Sequence, residues 1–283
     1  MKLVRFGTAG HERPGLIDAD GVLRDLSSVV ADIGGVTLEP ASLGKISKLA
    51  ASGALPAVRE SARLGACVSG VGKIVCVGLN YHGHIREVGA TPPTEPVLFM
   101  KSATSLCGPD DEVMVPPGAT AVDWEVELGV VIGMRATRVS VDNALSYVAG
   151  YCIVNDISER DWQLKGTGQW VKGKSADTFA PLGPWLVTTD EVPDPQTLGL
   201  KLSLNGEIQQ QGETQDMVFG VAQIVSYISR FMTLVPGDII STGTPAGVGM
   251  GKKPQRYLRA GDVMDLSIDR LGRQRQRVID TPV

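Results

Sequence analysis

The sequence predicts a mixed α/β, β-rich fold, and three observations carry that prediction. Gly (34) and Pro (17) are plentiful while aromatic content is only 5%, a composition of many strands and turns rather than of a helical bundle. Short apolar runs bounded by turn residues recur, among them KIVCVGL, GVVIG and YCIVN. Helical periodicity is clearest in a single segment, GVAQIVSYISRFM, with Val221, Ile224, Val225, Ile228 and Phe231 on one stripe.

At 283 residues the chain suits one large domain or two unequal ones. The expected division is a small N-terminal domain over 1–70 and a second domain over 71–283. Hydrophobic content of 43% and charged content of 20% are ordinary for a globular protein. A net charge of −4 supplies no basic field, so a nucleic-acid partner is not expected. No apolar run reaches membrane-spanning length, and MKLVRFGTAG lacks a signal-peptide core, so a cytoplasmic location is expected. Cys67, Cys76, Cys107 and Cys152 have no metal or disulfide spacing and read as reduced thiols.

In chain order, KLVRF, PGLID and GVLRDL read as short hairpin strands about Asp18 to Gly21, and ASLGKISKLAASG as a short helix. KIVCVGLNY is a buried strand running into the loop NYHGHIREVGATPPTEP. That loop holds His82, His84 and Glu87; in a short helix His84 and Glu87, three apart, would meet on one face. A histidine held by a carboxylate suits a general base, although exposed loop histidines are equally ordinary. PVLFMKS and DEVMVPP are further strands.

VDWEVELGVVIGM (122–134) is the most informative stretch. Read as a strand, it places Asp123, Glu125 and Glu127 on one face and Trp124, Val126 and Leu128 on the other. Carboxylates on a core strand need pairing, water or a cation, and Mg²⁺ or Mn²⁺ takes such oxygen ligands. A strand with one wet, acidic face is the competing explanation. After an expected helix at VDNALSYVAG, the apolar strand of GYCIVNDISERDWQ ends in Asp156, placed as a third oxygen ligand or as a helix cap. Gln163 follows in a short helix. In QWVKGKSADTFAPLGPW, Lys172 reads as a surface group and Lys174 as a contact for an anionic substrate. LKLSLNGEIQQQ is a hairpin through a type I′ Asn205-Gly206 turn. PGDIISTGTPAGVGMG passes from a strand to a Gly-rich loop whose N–H groups and Thr244 hydroxyl suit a carboxylate.

The ordered set GLNYHGHIREVG, EPVLFMK, DWEVELGVVIG, VNDISERDWQ, GKSADTFAPLGPW and PGDIISTGTPAGVG resembles the fumarylacetoacetate hydrolase family over roughly residues 70 to 275. The resemblance implies a roll of mixed β-sheets behind a small N-terminal domain, usually as a homodimer. It implies a Mg²⁺ or Mn²⁺ site from Glu125, Glu127 and Asp156. It also implies catalytic roles for His84, Glu87, Lys174 and Gln163, and a substrate contact at Thr244. Many relatives have Asp where this chain has Gly83, which bears on how the 80–95 segment closes. The implied activity is metal-dependent hydrolysis of a C–C bond in a small anionic keto acid, a 2,4-diketo acid such as an acylpyruvate or a 2,4-diketo-3-deoxy sugar acid, to pyruvate or a similar 2-oxo acid. The length and late motifs look most like members assigned to sugar-acid diketo hydrolysis or ureidoglycolate cleavage. The alternatives are an oxaloacetate-type decarboxylase, a hydroxymuconate-type isomerase, and a non-catalytic metal-dependent binding protein.

Overall fold

A computed structural model describes residues 1–59 and 61–282. Among these, a ten-stranded sheet runs in the order Leu23–Asp25, Arg13–Ile17, Lys2–Phe6, Ala180–Thr188, Val148–Asn155, Val126–Ile132, Ile239–Ser241, Ile74–Gly78 and Val97–Lys101, with Leu106–Cys107 paired off this path onto Ala180–Thr188. A five-stranded sheet runs Glu207–Glu213, Gly199–Leu204, Val263–Ile268, Gly272–Asp280 and Val113–Val115. The helices are α1 (Pro40–Ala51), α2 (His82–Val88), α3 (Val141–Ala144), α4 (Arg160–Leu164), α5 (Val171–Lys174) and α6 (Val221–Phe231). The β-rich, mixed α/β architecture is the one the composition predicts. None of these helices is long and apolar enough to cross a membrane.

The apolar core lies between the sheets, where Val126, Leu128 and Val130 meet Leu200, Leu202, Met264 and Leu266. Buried amides tie the sheets together as well. Gln274 Nε2 donates to Ile153 O at 2.9 Å, and Gln210 Oε1 accepts from Val126 N at 2.9 Å. Such bonds satisfy backbone groups at a register shift, for Ile153, and at a strand start, for Val126, that would otherwise be costly to bury. The Asn205-Gly206 turn is as expected, with φ of 53° and 86° in the left-handed region that a type I′ turn needs.

Three expectations change. The stretch 122–134 is two strands, Val122–Asp123 and Val126–Ile132, broken at Trp124 and Glu125. Helix α3 spans only four residues before a single 3₁₀ turn, because VAG is recruited into the strand Val148–Asn155. Phe231 leaves the α6 stripe: it is 61% exposed at the helix end and stacks edge-on against Tyr227 at 5.0 Å.

Candidate active site

The central strand pair places the acidic cluster. Val126–Ile132 runs antiparallel to Val148–Asn155, with Glu127 opposite Val154 and Val126 opposite Asn155. One residue beyond that ladder, Asp156 N donates to Glu125 O at 2.9 Å. One carboxylate oxygen each from Glu125, Glu127 and Asp156 therefore lies within 4.8 Å of the others, and all three residues are buried. The wet-faced strand is excluded, since every residue from Ala121 to Gly133 is buried. The cap explanation for Asp156 falls too, because Glu159 caps α4 by accepting from Trp162 N at 2.6 Å.

Cations surround this cluster. Lys174 Nζ donates to Glu125 Oε2 at 2.6 Å and to Asp156 Oδ2 at 2.7 Å. Lys101 Nζ holds Asp156 Oδ1 at 2.6 Å, and Arg160 bridges Asp123 at 2.8 Å and Glu125 at 2.7 Å. Burial would raise the Glu125 pKa, but Arg160 and Lys174 outweigh it and hold the carboxyl well below its usual range. Glu127 goes the other way, pushed up to about 8 by burial and then by Asp156 and Glu125. For Lys174 burial favours loss of the proton, yet Asp156 and Glu125 prevail and raise its pKa. The donor set fits a hard divalent cation: three buried carboxylates, with Glu127 Oε2 taken by Ser241 Oγ (2.6 Å) and Gly243 N (2.9 Å) and Glu127 Oε1 free of hydrogen bonds among the described residues.

Around the cluster is a cavity of about 220 Å³ whose lining includes His84, Glu125, Glu127, Gln163, Lys174 and Thr244. His84, on the seven-residue α2, makes a 3.1 Å contact from Nδ1 to Glu87 Oε2. Glu87 is steadied in turn by Gly247 N at 2.9 Å. No hydrogen bond reaches His84 Nε2 among the described residues. Gln163 Oε1 accepts from Arg160 Nη1 at 3.0 Å, and Thr244 Oγ1 donates to Val126 O at 2.9 Å while accepting from Gln210 at 2.7 Å. Of the sequence-derived residues, Glu87 and Asp156 lie outside the cavity wall, Glu87 touching it through His84 and Asp156 through Lys174. Lys172 is exposed. Lys101 and Arg160 were missed, although a charge closing the apolar run PVLFMK is the same signal that marked Asp156.

Comparison with known proteins finds relatives along nearly the whole chain. A family profile described as fumarylacetoacetate (FAA) hydrolase C-terminal matches residues 73–279. A protein of Burkholderia cenocepacia that carries a provisional hydrolase name is 53% identical over 281 residues, covering 99% of each chain. The structure of 2-hydroxyhepta-2,4-diene-1,7-dioate isomerase from Mycobacterium marinum is similar with a TM-score of 0.77 and 33% identity, covering 100% of both chains. That of maleylpyruvate hydrolase from Sphingobium sp. SYK-6, in complex with manganese(II) and pyruvate, is similar with a TM-score of 0.82 and 29% identity, again over 100% of both chains.

Proposed function

We infer that this chain, which belongs to the fumarylacetoacetate hydrolase family, cleaves an acylpyruvate, a 2,4-dioxo acid, into pyruvate and a carboxylic acid. It is an enzyme, a metal-dependent hydrolase acting on C–C bonds. The observation that carries the finer reading is the buried triad Glu125, Glu127 and Asp156, of which Glu125 and Glu127 line the cavity that also holds His84. Pyruvate bound to the Sphingobium neighbour supports the same product.

Glu125, Glu127 and Asp156 would hold Mg²⁺ or Mn²⁺, whose chemistry there is Lewis acidity toward the 2-oxo acid end of the substrate. His84 Nε2 takes a proton from water, with Glu87 stabilising the imidazolium at Nδ1. The hydroxide adds to C4; the C3–C4 bond then breaks, and its electron pair passes into the pyruvate enolate. The proton held by His84 goes to C3. Water and the dioxo acid thus become one carboxylic acid and one pyruvate. Lys174 and the amide of Gln163 would stabilise charge developing on the substrate oxygens, and Thr244 would contact a terminal oxygen.

The same reading carries a homodimer and a small N-terminal unit over 1–70. A hydroxymuconate-type isomerase is the second reading, favoured by the isomerase neighbour, because enolate formation is common to both. The test is pyruvate release from acylpyruvates by chelator-stripped protein, with and without added Mg²⁺ or Mn²⁺. Metal-dependent pyruvate with one equivalent of carboxylic acid supports hydrolysis; rearranged substrate without cleavage supports the isomerase.

A further inference from the structure

The geometry points to an apolar acyl group on the substrate, an aryl or branched alkyl chain, rather than one bearing a second carboxylate or several hydroxyls. This deepens the acylpyruvate reading and rests on it. The cavity wall beyond the charged cluster is made of Leu79, Val88, Phe99, Leu164, Trp170 and Met250. Lys174 Nζ lies 4.9 Å from the Phe99 ring centroid, Phe99 lies 5.2 Å from Trp170 at 59°, and Leu164 is 47% exposed. Trp170 is built into this place, since a Cβ on Gly78 would come within 2.6 Å of its ring.

Charge bookkeeping agrees. The cations lining the cavity among the described residues are Arg160 and Lys174, apart from His84, and both are already bound to carboxylates of the cluster. A second carboxylate on the substrate would find no uncommitted cation in this wall. Hydroxyl groups laid against it would lose water without regaining hydrogen bonds. A tilted aromatic pair instead offers an edge and a face to another ring. The volume of about 220 Å³ falls below the roughly 300–1,000 Å³ of drug-sized sites, which limits the acyl group to one ring or a short branched chain.

The test is calorimetric titration of the Mg²⁺-loaded protein with two 2-oxo acids that cannot be hydrolysed, 4-phenyl-2-oxobutanoate and 2-oxoadipate. The phenyl acid is expected to bind at least about tenfold more tightly, the scale of hydrophobic-pocket discrimination. In Leu164→Arg, a change at a half-exposed site, this ratio is expected to fall at least about fivefold as 2-oxoadipate gains a partner. A wild-type ratio under tenfold, a reversed preference, binding of neither acid, or a ratio unmoved by the substitution overturns the proposal. If no acylpyruvate yields pyruvate while the phenyl preference persists, the hydrolase reading alone fails.

Discussion

Asp156 N donates to Glu125 O at 2.9 Å, joining two residues thirty-one positions apart just past the end of a strand pair. That bond sets the carboxylates level, so the triad depends on sheet register. Asp156→Asn keeps the shape but removes one charged ligand and leaves Lys101 and Lys174 short of a partner. Divalent-metal affinity is expected to fall at least about 10-fold, the scale seen even for outer-shell changes. Stability is expected to fall by about 3–5 kcal/mol, read by calorimetric titration and denaturant unfolding. Unchanged metal affinity would remove Asp156 from the ligand set.

In the proposed metal site, Glu127 links metal binding to pH. Its pKa in the folded, metal-free protein, about 8, exceeds the ordinary 4.5. Between those values the folded state keeps a proton that the unfolded chain releases, so the metal-free protein loses stability as pH rises through this window. Metal binding needs the carboxylate and expels the proton. Affinity is therefore expected to rise by up to about tenfold per pH unit below 8 and then level off. Titration in buffers of different ionisation enthalpy measures the released proton; release that is independent of pH contradicts the assignment.

His84→Gln should lower kcat by about 10²–10⁴-fold while leaving metal affinity within a few-fold, because in the proposed mechanism the imidazole transfers a proton and is no metal ligand. Glu87→Ala should produce a smaller loss in kcat, since the imidazolium formed during proton transfer loses its partner. Stopped-flow pyruvate detection across pH 5–9 separates the two variants.

Gly83 N donates to Asp216 Oδ2 at 2.9 Å, so a carboxylate from elsewhere in the chain caps α2 at its second residue. Asp216→Ala is expected to cost about 1 kcal/mol and to speed amide exchange across 82–88. Exchange unchanged there would show that α2 is held by other contacts.

Gly173 admits no side chain, because a Cβ would lie 2.4 Å from Glu159 O and 2.5 Å from Gln163 N. Gly173→Ala should push α5 from α4, shift Lys174, and lower kcat/KM by about 10²-fold through misplacement alone. Full activity in that variant would separate Lys174 from the chemistry.

Local chemistry made the fold class, the Asn205-Gly206 turn and the α6 helix legible in the sequence, because alternation, left-handed turn residues and a 3.6-residue stripe act over a few neighbours. The same holds for the pairing of His84 with Glu87, three residues apart on one helical turn, and the ordered motifs carried the family. Tertiary structure alone decided that Trp124 and Glu125 interrupt the acidic strand, and that Lys101, Lys174 and Arg160 converge on the carboxylate cluster from three separate elements. It also decided that Phe99, Leu164 and Trp170 share one cavity wall with the carboxylates. Those features depend on sheet register and on contacts between residues far apart in the chain, where burial makes each charge require a partner that local spacing does not name.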